Sequence, residues 1–260
     1  MTRVSRRGLP AALSLLLWLL ILLQGCSPLA PQSVTQSQPD DFPDRFFLQA
    51  EAKQVYRINS QASQIKVIVR RGGLMARLGH DHVVASNHVQ GLVFLDRDRQ
   101  QCRAQLFAPL AMLQVDNPQH REAAAMTTRP SAQDIAGTTS NMLKSLEAET
   151  YPFAQLLSAD CSGALNGQAV PVTLNIHGVS QEMQLAIRLK RSDDNQLVVS
   201  GDFAILQSDF GIEPFSVMNG LLKVQDRLQL SFELRADSNF GDSGNPQNWM
   251  DLPAQSRYES

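Results

Sequence analysis

Four apolar side chains, Leu228, Leu230, Phe232 and Leu234, alternate with Arg227, Gln229, Ser231, Glu233 and Arg235. A period of two held over that length gives one apolar and one polar face, the pattern of a half-buried antiparallel strand. Ile65, Val67 and Val69 repeat it, as do Val89, Gly91, Val93 and Leu95. Further extended runs cover residues 102–108, 153–161, 168–176, 181–190 and 197–206. Asn166-Gly167 carries the residues of a type I′ hairpin turn. His177-Gly178-Val179-Ser180 and Ser192-Asp193-Asp194-Asn195 separate the next pairs. About eight strands joined by short turns predict an all-β fold, more easily closed as a barrel or sandwich than left as an open sheet.

Residues 117–150 break the alternation. Asn117-Pro118 supplies an N-cap followed by proline at the first helical position, leading into residues 119–126. Ser131 with Asp134 offers a second start, and residues 140–147 hold a further turn or two. The segment is expected to form a short helical or irregular cap on the sheet.

The two ends read differently. Arg3, Arg6 and Arg7 precede an apolar run at residues 9–23. At about 15 residues it is shorter than the ~20 a membrane-spanning helix needs, so residues 1–25 read as a secretory signal peptide. Leu23-Gln24-Gly25-Cys26 resembles the lipobox of bacterial lipoproteins, which makes Cys26 the candidate for lipidation. The alternative is a plain cleaved signal with an incidental cysteine. Ser27 is not the aspartate that often retains lipoproteins at the inner membrane, so the expected place is the periplasm, anchored by lipid at the outer membrane. Residues 26–53, with Pro28, Pro31, Pro39 and Pro43, read as a flexible tether that begins to dock around Phe42, Phe46 and Phe47. Residues 237–260 read as a polar, disordered tail that includes Phe240 and Trp249.

Without residues 1–25 the chain keeps 20 of its 23 basic side chains against 25 acidic ones, a balance of −5. A mildly acidic chain without basic clusters is a poor nucleic-acid binder. In an oxidising compartment Cys102 and Cys161 remain as a pair. Bridged, they would close a loop of about 60 residues and stabilise the fold by about 4 kcal/mol on the chain-entropy view. The alternative is two buried thiols.

Several segments together resemble the polyisoprenoid-binding YceI-like proteins. Tyr56-Arg57-Ile58-Asn59 is similar to that family's opening strand, and Tyr151-Pro152-Phe153 to its tyrosine-proline element. The segment from Thr173 through His177-Gly178-Val179-Ser180 resembles its histidine-glycine-valine-threonine stretch. Ser208-Asp209-Phe210-Gly211-Ile212, Val224-Gln225-Asp226-Arg227-Leu228 and, as in one branch, Arg71-Gly72-Gly73 through His80-Asp81-His82 also match. Leu113-Gln114-Val115-Asp116 departs from the family's serine-valine-aspartate-threonine. The resemblance spans residues 54–236. It implies an antiparallel lipocalin-like β-barrel enclosing an apolar tunnel for a prenyl chain, such as a quinone tail or a polyprenyl phosphate.

On that reading Phe94, Phe107, Leu174, Ile176, Phe203 and Phe210 are candidate lining residues, with His80, His82 and His177 as candidate polar contacts. Periodicity alone does not separate a hollow barrel from a filled one. In an extended segment His80 and His82 project to the same side and could share a zinc or copper ion, with His88 or His177 as a third ligand. The other readings of the pair are a headgroup contact at the barrel mouth and a structural role, and no metal ligand set is assigned. No Gly-x-Ser-x-Gly elbow, His-Glu-x-x-His pair or glycine-rich phosphate loop is present, so no catalytic residue and no cofactor are expected. Asp96, Arg97, Asp98 and Arg99 read as a solvated turn, and Asp193-Asp194 as turn formers.

The expected protein is a lipid-anchored periplasmic carrier or store for an isoprenoid or similar long apolar molecule, without covalent chemistry. The alternatives are a metal-dependent or redox enzyme built on His80 and His82, and a structural envelope lipoprotein with a filled barrel.

Overall fold

The structure is a computed structural model that describes residues 38–193 and 195–238. The signal peptide, Cys26, the first part of the tether, Asp194 and the tail with Phe240 and Trp249 lie outside the described residues. Within them the strands are β1 (Val55–Ile58), β2 (Gln64–Val69), β3 (Arg71–Gly72), β4 (His82–Ser86), β5 (Gln90–Asp96), β6 (Gln101–Pro109), β7 (Gln114–Val115), β8 (Phe153–Ser158), β9 (Val170–Ile176), β10 (Val179–Leu185), β11 (Ile187–Asp193), β12 (Gln196–Leu206), β13 (Ser216–Val217), β14 (Leu222–Val224) and β15 (Arg227–Asp237). The helices are α1 (Arg45–Gln49), α2 (Pro118–Ala123) and α3 (Ala132–Ser145).

Twelve strands form one antiparallel sheet, and β13, β14 and β3 form a second, small one. The strongly alternating strand, β15, is the seam of the large sheet. One edge pairs with β12 along its whole length, and the other pairs first with β2 and then with β1. From β1 the order runs β5, β6, β8, β9 and β10; from β2 it runs β4 and β7. The chain then leaves β9: β10 bends at Ala186 into β11, which pairs with β12. This bend carries the wall round, so the lipocalin-like fold is present although the lateral ladder is not closed. Gly201 permits it, because a Cβ there would meet the Phe232 ring at 2.9 Å and the Ala186 carbonyl at 3.1 Å.

Three local expectations change. His177 and Gly178, with φ of 56° and 73°, join Ile176 to its partner Val179 and make the two-residue hairpin. Asn166-Gly167 does not. Residues Ser162–Asn166 instead form a 3-10 turn ended by Gly167, because Cys161 is disulfide-bonded to Cys102 and its N–H donates to the Cys102 carbonyl. The turn expected at residues 140–147 is not separate: residues 140–145 belong to α3, which Leu146 ends as its C-cap and whose start is the Ser131–Asp134 capping box.

Residues 38–50, read as part of the tether, are docked. Asp44 caps α1 and its carboxylate lies 2.6 Å from the Arg103 guanidinium, while its own N–H donates to Gln105. Phe47 is fully buried against Val55, Leu92 and Phe94, and the Phe42 ring meets Phe107 edge-on at 4.9 Å. Strands β5 and β6 are therefore covered on both faces. Val93, Leu95, Ala104 and Leu106 face the interior, and Leu92, Phe94 and Phe107 face this strap.

Candidate functional site

The interior is hollow. Alternate side chains of the long strands enclose a cavity of about 390 Å³, within the range of small-molecule sites. Ile65, Val67 and Val69 from β2, Phe203 and Ile205 from β12, and Leu228, Leu230, Phe232 and Leu234 from β15 supply much of the wall. At one end Cys102, Cys161 and Ala164 make a floor, pinned by the disulfide. The other end is marked by Val69, His82, Val224 and Leu228, beside Leu146 and α3. Thr138, Asn141, Met142 and Ser145 line it at helical spacing, so α3 turns one stripe inward as the cap expected of this region.

Among the described lining residues none carries a permanent charge, and with Cys102 and Cys161 bridged His82 is the single ionisable side chain. Its position is set from behind. His82 Nδ1 lies 2.6 Å from Asp116 Oδ2, and the other carboxylate oxygen accepts from the Val83 N–H and from Arg121. Arg121 is itself buried, and its guanidinium also donates to the carbonyls of Asp81 and Thr128 and to the Thr128 hydroxyl. Burial alone would raise the Asp116 carboxyl, but donors from His82, Val83 and Arg121 outweigh it and hold it below its ordinary value. A carboxylate behind an imidazole in this way fixes the ring's tautomer and aim.

His80 stands beside His82, with ring centroids 4.7 Å apart, but does not line the cavity. Burial, then the neighbouring His82, push its pKa down, and its buried Nε2 has no hydrogen-bond partner. His80, His82 and Asp116 bring potential metal-ligand atoms within 4.8 Å of one another. Both Asp116 oxygens are already engaged, one of them by a guanidinium, so a cation there would compete with Arg121. The side-chain arrangement is that of a buried ion pair orienting an imidazole.

The other candidates fall into two groups. Leu174, Ile176 and Phe203 line the cavity, and Phe107 borders it while its ring packs outward on Phe42 and Phe153. Phe94, Phe210 and His177 do not line it. Phe94 has the wrong parity on β5 and sits under α1, with Phe46 edge-on at 4.9 Å. Phe210 is buried in the wall cluster of Leu174, Ile176 and Ile205. His177 occupies the hairpin turn, where Nδ1 lies 3.1 Å from the Phe210 carbonyl oxygen and Nε2 lies 3.3 Å from the Glu147 carboxylate, without hydrogen-bond alignment. His88 lies apart from the His80–His82–Asp116 group.

The segments that carry the resemblance act as clasps. A Cβ on Gly178 would fall 2.5 Å from the Tyr151 ring, so tyrosine-proline and histidine-glycine elements lock against each other. The Ser208 N–H and hydroxyl both donate to the Asp226 carboxylate, joining the next two motifs. Reading the sequence did not single out Asp116 with Arg121 or the inner stripe of α3. The spacing of Thr138, Asn141, Met142 and Ser145 was the available signal for the stripe; for a buried arginine there was none.

The model of the YceI-like domain matches residues 56–236. A polyisoprenoid binding domain from Saccharophagus degradans implicated in plant cell wall breakdown superposes with a TM-score of 0.50 at 15% identity, covering 71% of this chain and 98% of that one. BcnA of Burkholderia cenocepacia gives 0.48 at 16% identity, covering 68% and 98%. No curated protein matches the chain. With more than half of its length under the family's pattern and the corresponding fold around an apolar cavity, the chain belongs to the YceI-like family.

Proposed function

We propose that this protein binds an isoprenoid, of quinone or polyprenyl type, or a similar long apolar molecule, and carries or stores it without covalent chemistry. The observation that carries the reading is the uncharged cavity of about 390 Å³, walled by aliphatic and aromatic side chains. Burying ten methylene equivalents there would contribute roughly 8 kcal/mol before the cost of ordering ligand and loops. The polyisoprenoid-binding description of the Saccharophagus domain supports the ligand class. The signal-like start with Cys26 and the Cys102–Cys161 bridge support export and a lipid anchor in the periplasm, at the outer membrane.

Native mass spectrometry of the gently purified protein tests this. A copurifying long-chain apolar ligand, or uptake of an added quinone or polyprenol, is the expected result. Absence of both overturns the reading.

A further inference from the structure

Nine large apolar side chains are exposed among the described residues, and six of them lie in two loops: Leu74, Leu78, Phe215, Val217, Met218 and Leu221. The loops are one structure. The Met75 N–H donates to the Leu221 carbonyl at 2.8 Å, and β14 pairs with both β13 and β3. Leu74, at 89% exposure, and Leu78, at 62%, project where none of the described residues covers them. Clustering of this kind marks a surface meant to be covered, whereas apolar residues exposed singly need no explanation.

Two observations say what covers it. The patch is continuous with the ligand cavity, since Phe215 and Val224 belong to the same two loops and line the cavity at its His82 end. Its polar rim carries more cations than anions: Arg70, Arg71, Arg77 and Lys223 stand against Asp81, Glu213 and Asp226, and Asp81 is tied to both Arg70 and Arg71. A second copy docked on the same face would bring these cations together, which costs energy. An anionic bilayer surface meets both halves of the pattern, with leucine and methionine entering the acyl boundary and arginine and lysine at the phosphates.

We propose that this tip docks on an anionic lipid bilayer and brings the His82 end of the cavity to it, so that an apolar ligand passes between membrane and barrel without crossing water. The ligand part rests on the isoprenoid reading above; the docking itself does not.

The test uses the chain from residue 26 onward carrying Cys26→Ser, so that no acyl group adds affinity. Flotation is measured with phosphatidylethanolamine vesicles with and without phosphatidylglycerol. The comparison is with Leu74→Ser, Leu78→Ser and Met218→Asn combined, asparagine being chosen because Met218 has a φ of 53°. Binding should need phosphatidylglycerol, weaken with salt and fall by about tenfold or more in the variant. The variant's circular dichroism and thermal melt should match the parent's, which shows that it folds, and its uptake of a quinone from detergent should be unchanged. Equal flotation of both proteins overturns the proposal, and so does loss of flotation accompanied by a concentration-dependent dimer of the parent chain. Patch-dependent flotation without uptake of any quinone by either protein upholds docking and overturns the ligand reading instead.

Discussion

Asp116 lies behind His82 at 2.6 Å, with its backbone in the left-handed region at a φ of 55° and its side chain buried against Arg121. A non-glycine residue held in that conformation, between an imidazole and a guanidinium, is a fixed point from which the cavity-facing ring is aimed.

Asp116→Asn keeps a residue that tolerates positive φ and removes the charge, leaving Arg121 buried without its counter-ion. The expected loss is about 3 kcal/mol in denaturant unfolding at neutral pH. The carboxyl sits below its ordinary value in the fold, so its stabilisation is fully present above the unfolded value and disappears as pH falls through the folded one. The substitution should therefore flatten the acid limb of the stability profile below the ordinary carboxylate range. Asp96 and Asp226, also held low, preserve part of that limb. An unchanged profile would show that Asp116 is not ionised in the fold.

Reduction of the Cys102–Cys161 bridge removes the staple of the cavity floor across a separation of 59 residues. The chain-entropy account gives a stability loss of about 4 kcal/mol. Calorimetry with and without a phosphine reductant measures it, and the Cys102→Ser, Cys161→Ser double variant should melt where the reduced protein does.

The strands were legible because alternation is written directly in residues such as Leu228 to Leu234, and a single apolar face leaves one register possible. What alternation does not tell is which apolar face looks inward when both are covered. Phe94 and Leu95 are equally apolar, and the covering of the outer face comes from Phe47, some 47 residues away in sequence. The same limit explains the hairpins: Asn166-Gly167 has better local turn chemistry than His177-Gly178, yet the bridge at Cys161 and the Tyr151 ring against Gly178 decide the matter. The Asp116–Arg121 pair was invisible because its members meet through the cap, not through a motif.

Phe94→Ala and Ala104→Phe separate the two faces of the wall. Phe94 packs under α1, so its truncation should cost about 3 kcal/mol of stability and leave ligand affinity intact. Ala104 faces the cavity, so the added ring should weaken uptake of a quinone by about tenfold or more, at a stability cost of about 1–3 kcal/mol. Thermal melts and fluorescence titrations on both variants check the pair. The reverse pattern would place the ligand on the outer face.

His82→Leu asks whether the one ionisable residue among the described wall residues meets a ligand's head. Asp116 would keep Arg121 and the Val83 N–H, so the fold should survive the change. A quinol or polyprenol, whose hydroxyl can hydrogen-bond to the imidazole, should bind up to about tenfold more weakly, the worth of one hydrogen bond. Squalene, an isoprenoid hydrocarbon without a head, should bind within about twofold of its original affinity, because its contacts are with the aliphatic wall alone. Equal weakening of both ligands would mean that His82 acts by shaping the mouth; weakening of the headed ligand alone identifies it as the polar contact and orients the chain with its head toward the α3 cap.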